Sequence, residues 1–394
     1  MKIGLSLSGG GFRATVFHLG VLARLAEEGR LEDVSFLSTV SGGTLCGGLV
    51  HARNGFRWPT SAEFTDKVIP QARDLLTSQD LQFGLIGRVL RLPSRVFGTR
   101  ADDLSLLLRK RWGVTASLSA LPEHPRWLIN ATCYETGKNW RFERQRMGDY
   151  VFGYSYDTDI PLSDALAASA GFPGLIGPVV FDTRSYSWFQ YAGRAEQREA
   201  TMNADSHTWD TAPIEPAFSR LHLWDGGVYD NLGLESLHNF DDGWREGVDF
   251  LIASDGCCAL RCEPYRPWKA AMRMIRGIMM DQIRSLRFRA VLERFKNHQD
   301  SGCFLQIGNM CEAVLRDARR EGEIATLCPH CLSREQVQIA AETPTDIRRL
   351  SAGDFERLFR HGFEVADCTL HAYHPDEFCF IGYHNSRRCG SGQC

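Results

Sequence analysis

The chain has 394 residues, a formal net charge of −3 and 43% hydrophobic residues. That length buries a large core and allows one elaborated α/β domain or two to three smaller ones, while the slightly acidic balance argues against a nucleic-acid binder, whose phosphate affinity needs net basic surface. Thirteen cysteines, an odd number without the dense spacing of a small secreted scaffold, fit thiols in a reducing cytoplasm.

In chain order, residues 2–8 alternate Ile3, Leu5 and Leu7 with smaller or polar residues as a short strand does, then break at Gly9-Gly10-Gly11. Residues 12–28 follow as a helix, with Val16, Leu19, Leu22, Ala23 and Leu25 at helical spacing. Three glycines between strand and helix let the backbone approach a ligand closely and aim N–H groups at it, so this turn is expected to hold an anion. Residues 34–40 form a second buried strand, and Gly42-Gly43 opens a small-residue helix behind Ser41. A serine on so sharp a strand-to-helix bend has its hydroxyl pushed outward, which makes Ser41 a candidate nucleophile. Two other readings of the first bend are weaker. Gly9-x-Gly11-x-x-Ala14 fits a dinucleotide fingerprint, but the next strand ends in Ser38-Thr39-Val40-Ser41 without the required acid, and Gly11-Phe12-Arg13 lacks the Gly-Lys-Ser/Thr of an NTPase loop. The plainest alternative is that both bends are ordinary tight connections.

The first apolar run ends at once in glycine, unlike a signal peptide, and no window nears the ~20 apolar residues of a membrane span, so a cytoplasmic protein with only peripheral lipid contact is expected. Residues 54–123 read as a helical insertion that either shapes the pocket as a lid or packs as scaffold. Residues 127–134 and 139–143 read as a hairpin about Glu135-Thr136-Gly137-Lys138, and residues 162–170 as an Ala-rich helix stopped by Gly171 and Pro173. The polar stretch of about 184–217, with Glu196 to Glu199 and Asn203 to Ser206, reads as an exposed loop. Residues 221–224 form a strand delivering Asp225, and residues 250–254 another delivering Asp255, a rival acid. Residues 267–296 read as a long helix, its apolar side (Met272, Met279, Ile283, Leu286, Val291) facing the core and its arginines solvated, with a membrane-surface role as the alternative. Cys328-x-x-Cys331 is half of a zinc pattern, with Cys257, Cys258 or Cys262 as candidate second halves. No second pair stands at matching spacing, so structural zinc is the lesser reading and no metal or cofactor is expected.

Gly9-Gly10-Gly11-Phe12-Arg13 followed by Ser41-Gly42-Gly43, then Ala168-Ser169-Ala170-Gly171-Phe172-Pro173 and Asp225-Gly226-Gly227-Val228-Tyr229-Asp230-Asn231, resembles the patatin-like phospholipase family over about residues 1–256. One position departs: Thr39 stands where the family's Gly-x-Ser-x-Gly motif has its first glycine. The resemblance implies a three-layer α/β/α fold with a mostly parallel central sheet, elaborated by helical insertions, a C-terminal extension over 257–386 and a flexible tail over 387–394. It implies catalysis by Ser41 and Asp225, preferred over Asp255 because only Asp225 is followed by the Gly-Gly turn and Asn231. An oxyanion hole is expected from Gly9, Gly10, Gly11 and Phe12, with Arg13, Gly43, Gly226 and Gly227 in support. A Ser-His-Asp triad using His361, His371, His374 or His384 is the mechanistic rival. The expected activity is phospholipase A-type cleavage of membrane lipid acyl esters without a metal. The alternatives are a neutral-lipid esterase or thioesterase, a membrane-degrading effector switched on by an activator, and a non-catalytic lipid or nucleotide sensor.

Overall fold

The strands, in chain order, are β1 (Ile3–Leu7), β2 (Val34–Val40), β3 (Arg126–Cys133), β4 (Lys138–Phe142), β5 (Met147–Asp149), β6 (Gly153–Ser155), β7 (Val179–Asp182), β8 (Trp188–Tyr191), β9 (Thr211–Ile214), β10 (Arg220–Asp225), β11 (His238–Asn239), β12 (Gly243–Trp244), β13 (Phe250–Asp255) and β14 (Gly302–Gln306). The helices used below are α1 (Gly11–Glu27), α2 (Gly42–Arg53), α3 (Ile69–Ser78), α4 (Arg100–Trp112), α5 (Leu162–Ser169), α6 (Met280–Asn297), α7 (Cys311–Asp317), α8 (Arg334–Glu342) and α9 (Ala352–Tyr373). The structure, a computed structural model, describes residues 1–82, 100–193, 211–239, 243–260, 262–298 and 301–389.

One mixed sheet of twelve strands runs β14-β13-β1-β2-β3-β4-β5-β6-β8-β9, with β10 paired to β3 and β7 to β10. From β14 to β3 every pairing is parallel, and the antiparallel strands form a wing beyond β3. Alternation along the strands separates two cores. Phe250 and Ile252 of β13 face a large core with α1, α2 and α9, whereas Leu251 and Ala253 face a smaller one with Val291 and Phe288 of α6. Helices therefore cover both faces, giving the three-layer α/β/α arrangement.

α1 lies against α9 at a separation only glycine permits. A Cβ on Gly20 would sit 2.0 Å from the Phe359 carbonyl oxygen, and one on Gly362 would sit 2.0 Å from that of Phe17. Both helices pack their backbones directly, which fixes α9 to the helix that leaves the glycine bend.

Three segments differ from the sequence expectation. Part of the expected loop at 184–217 is sheet: β8 and β9 pair, and Trp188 is buried against Trp140 and Phe152, because its indole extends an aromatic core that polarity averaging hides. Residues 194–210, including the Glu196 to Glu199 and Asn203 to Ser206 runs, lie outside the described residues, as do 83–99 of the helical insertion. Residues 257–386 are not set apart from the sheet, since β14 is one of its strands. Finally, Pro267–Lys269, Ala270–Arg273, a π-helical Met274–Met279 and α6 run on as one helical stretch, but its first half does not turn its apolar side inward. Met272, Met274, Ile275 and Met279 are exposed, while Arg284 and Arg287 pair with Asp255, Asp230 and Glu235. Asp255, Asp230 and the half-buried Glu235 hold Arg284 and Arg287 on the inner side, so over residues 272–279 apolar side chains face out, whereas Val291 further along is buried as expected. Among the described residues, no helix is long and apolar enough to cross a membrane.

Gly362→Ala is expected to lower stability by about 1–3 kcal/mol, the overpacking range, in urea titrations. Gly322→Ala, where a Cβ meets nothing within 4 Å, should change it by no more than about 0.5 kcal/mol. Equal effects would show that the α1–α9 contact yields.

Candidate active site

The two glycine bends interlock. A Cβ on Gly42 would lie 2.5 Å from the Gly11 carbonyl oxygen, and one on Gly43 would lie 2.2 Å from that of Leu7. The Gly43 N–H donates to the Ser8 carbonyl at 3.0 Å, tying the second bend to the first. Ser41 sits at the tip with φ 48° and ψ −111°, a left-handed conformation that costs energy for a residue with a Cβ. The surroundings hold it there. The Ser41 N–H donates to Ser169 Oγ at 3.1 Å, and Ser169 Oγ pairs with Thr44 Oγ1 at 2.8 Å. Thr39 is part of the same network, accepting from Thr44 Oγ1 and from Trp127 Nε1, each at 2.9 Å. The bend is thus tight without the family's first glycine, because threonine at that position uses its hydroxyl to brace the helix behind Ser41.

Sheet register brings the acid to the serine. β2 pairs parallel with β3 as far as Val40 opposite Asn130, and β10 pairs antiparallel with β3 down to Asp225 opposite Ala131. The two strands share one edge of β3 and meet at their C-terminal ends, where Ser41 and Asp225 leave. Gly226 lets the chain exit, since a Cβ there would lie 2.5 Å from the Asn130 carbonyl oxygen. Asp225 is buried, and its Oδ1 accepts the Gly227 N–H at 2.7 Å. Its Oδ2 is buried with no well-directed hydrogen bond among the described residues, and the Ser41 hydroxyl is near enough to favour the ionised form. Burial outweighs both polar contacts and pushes the Asp225 pKa up to about 7.

Ser41, Asp225, Gly10 and Gly11 line one open cavity of about 590 Å³, whose apolar wall includes Leu45, Phe172, Leu175, Ile176 and Ile347. The four glycine-bend amides are not equivalent. The Gly9 N–H donates to the Asn231 carbonyl at 3.0 Å and the Phe12 N–H to the Asp346 carbonyl at 2.9 Å, so these two are occupied. Those of Gly10 (φ 138°) and Gly11 (φ 60°) have no partner among the described residues. Arg13 is buried and bonded to the carbonyls of Gly256 (3.0 Å) and Thr343 (2.9 Å), an arrangement that orders the loop. Asp255 is committed elsewhere, to the Cys257 N–H and the Arg284 guanidinium. No histidine lines the cavity among the described residues. His361, His371 and His374 each bond a backbone carbonyl, and His384 meets the His330 ring edge-on. No described residue of 54–123 lines it either, and Trp112 of that insertion instead stacks behind Phe12 at 5.7 Å.

Two contributions are not readable from the sequence. Ser169 stands in one of the family blocks, but its bond to the Ser41 N–H shows only in the folded chain. The segment 343–347 gives its backbone carbonyls to Arg13 and Phe12 and lines the cavity, and no residue type announces that work.

The fold and cavity define a class: a layered α/β/α protein with a serine elbow and a buried acid opening on an apolar hollow. The chain belongs to the patatin-like phospholipase family, whose model matches residues 5–238. It is 26% identical over 265 residues to a patatin-like phospholipase domain-containing protein of Chaetomium globosum, covering 62% of this chain and 28% of that protein. The chain therefore spans less than a third of that curated relative. Human GIVD cytosolic phospholipase A2, solved with methyl gamma-linolenyl fluorophosphonate, has a TM-score of 0.50 at 17% identity, with 94% of this chain and 57% of that one covered. VipD from Legionella pneumophila matches with a TM-score of 0.35 at 12% identity over 94% of this chain and 67% of that one. These matches establish the family, and for the phospholipase A2 a shared fold.

A carboxyl whose folded pKa lies above its ordinary 3.8 keeps its proton when the unfolded chain has lost it, so stability falls as pH rises from about 4 to about 7 and levels off above. Asp225→Asn keeps the acceptor for Gly227 and removes that ionisation. We expect it to raise the melting temperature at pH 8 and to leave it unchanged at pH 4. A lower melting temperature at pH 8 would contradict a buried Asp225 carboxyl of raised pKa.

Proposed function

We propose that the protein is a lipid acyl hydrolase of phospholipase A type, with Ser41 as nucleophile and Asp225 as its base. Asp225 Oδ2 takes the Ser41 proton as Oγ attacks the ester carbonyl, and the N–H groups of Gly10 and Gly11 stabilise the oxyanion. Collapse of the tetrahedral intermediate returns the proton to the leaving alkoxide and releases a lysolipid. Water then attacks the acyl-Ser41 ester with Asp225 again accepting a proton, and collapse of the second intermediate hands that proton to Ser41 Oγ as the fatty acid departs. The observation that carries this reading is the buried Oδ2 of Asp225 beside Ser41, which has no well-directed hydrogen bond among the described residues. A carboxylate of ordinary pKa, ~4, is a weak base toward a hydroxyl, and burial corrects this. Arg13, Gly43, Gly226 and Gly227 position these groups.

The mouth of the cavity supports a lipid surface as the source of substrate. Lys269, Met272, Arg273 and Gly277 line it, and the same stretch exposes Tyr265 (81%), Trp268 (76%), Ile275 and Met279 to solvent. Such a ridge, apolar with cations at its base, beds into the headgroup boundary of an anionic membrane and lets an acyl chain pass into the cavity. Peripheral contact from a cytoplasmic protein is the corresponding location.

Wild-type protein is expected to be labelled by an alkyl fluorophosphonate, with labelling lost in Ser41→Ala and kcat/KM rising with pH to a plateau above about 7. Labelling that survives Ser41→Ala contradicts the assignment. A wild type that binds vesicles and is never labelled, with or without cell extract as a source of activator, is a sensor instead. Replacing Trp268 and Ile275 together by Ser should cut turnover of anionic phospholipid vesicles by about tenfold or more and leave a soluble monomeric ester within about twofold. Equal losses on both substrates would place the ridge in the chemistry rather than at the membrane, and selective turnover of neutral lipid or thioester would redirect the substrate class.

A further inference from the structure

Cys311 at the start of α7, Cys328 and Cys331 on the turn before α8, and Cys368 in the middle of α9 come together although they are far apart in the chain. Their four sulfurs all lie within 4.8 Å of one another, and none is in a disulfide. The sequence pattern anticipated one half of this site and looked to Cys257, Cys258 and Cys262 for the other. Cys257 lies instead in the catalytic cavity, with Asn231 donating to its sulfur at 2.8 Å, and Cys258 lines that cavity as well.

We infer that Cys311, Cys328, Cys331 and Cys368 bind one structural zinc ion. Zinc–thiolate bonds of ~2.3 Å put the corners of a tetrahedron ~3.8 Å apart, within the spacing the sulfurs already have. Four thiols converging on one point, rather than on two separate pairs, suit a single soft ion better than two disulfides. The space is also too narrow for a multi-iron cluster. The site is closed, as structural zinc sites are: Cys311, Cys328 and Cys368 are buried, Cys331 is half-buried, and Leu315 and Ala372 pack against them. A second layer orients the turn. The Leu332 N–H donates to Glu364 Oε2 at 2.9 Å, Arg360 holds Glu364 Oε1 at 2.7 Å, and Arg360 also donates to the His330 carbonyl. A hollow of about 120 Å³ beside Cys331 and Cys368 gives the ion a way in.

The ion would close a loop. From Cys331 the chain runs through α8 and the segment 343–347 to α9, returning to the same ion at Cys368. Within that loop lie the Asp346 carbonyl that accepts from Phe12, the Thr343 carbonyl that accepts from Arg13, and the helix packed on α1. Zinc thereby clamps the part of the chain that braces the glycine bend.

The test is metal analysis of the full chain purified from zinc-supplemented cells without chelator. About one zinc per chain is expected, released in step with the reaction of four thiols with an organomercurial, together with a tetrahedral thiolate spectrum on cobalt replacement. Cys379→Ser, at an exposed thiol outside the cluster, should keep the zinc, and Cys331→Ser should lose most of it. Zinc below about a tenth per chain in the wild type overturns the inference without recourse to any variant. So does iron at that stoichiometry, or an intact mass showing the four cysteines joined as disulfides. Ser41→Ala should carry the same zinc as the wild type, so a failure of this site and a failure of the hydrolase reading are read separately.

Discussion

The structure depends on two backbone bends pressed together until no side chain fits between them. Gly42 meets the Gly11 peptide and Gly43 meets the Leu7 carbonyl, and the hydrogen bond from Gly43 to Ser8 fixes their relative height. Everything else at the site is arranged around that contact. It puts the tip of one bend beside the free amides of the other, while β10, ending against β3 where β2 ends, brings a carboxyl to the same place. The left-handed serine is held by its neighbours: Ser169 satisfies its N–H, and Thr44, Thr39 and Trp127 hold Ser169 and the helix behind it. Preorganisation of this kind lets donors stabilise developing charge without moving, and removing one such donor typically costs ~2.7–4 kcal/mol of barrier.

Electrostatics separates the two strand-end acids. Asp255 is also buried, but Arg284 and the Cys257 N–H neutralise and solvate it. Among the described residues Asp225 has the Gly227 N–H on Oδ1, the Ser41 hydroxyl nearby and no cation paired with it, so burial dominates and its affinity for a proton rises. By linkage, the same burial is expected to cost stability at neutral pH. The inverted helical stretch follows similar logic. Arg284 and Arg287 are drawn to acids behind the site, which leaves Met272 on the rim of the cavity and Trp268, Ile275 and Met279 of the same stretch exposed.

Much of this was legible in the sequence. The bends announce themselves because glycine runs between a strand and a helix have few other uses, and Asp225-Gly226-Gly227 stands out for the same reason. β3 and β4 followed from β-branched and aromatic runs around a turn. The rest was not legible, for physical reasons. Which glycine-bend amides are free depends on Asn231 and Asp346, which offer carbonyls that every residue possesses. Val291 is buried as the periodicity predicts, but the outward turn of residues 272–279 is not legible, because amphipathicity identifies two faces and not which is buried, and the charges that hold Arg284 and Arg287 lie on Asp230, Glu235 and Asp255, remote in sequence. Trp188 was hidden in a polar stretch. The cysteine cluster escaped because three segments supply four sulfurs, and only one Cys-x-x-Cys is local.

The proposed convergence of hydroxyl, acid and amides makes the acyl group pass through Ser41. The most direct measurement is the intact mass of the protein quenched during turnover of an activated fatty-acyl ester, followed by peptide mapping. A gain equal to one acyl group, located on the peptide that holds Ser41, is the predicted result. Steady product release with no adduct on Ser41, or an adduct on a different side chain, would contradict it.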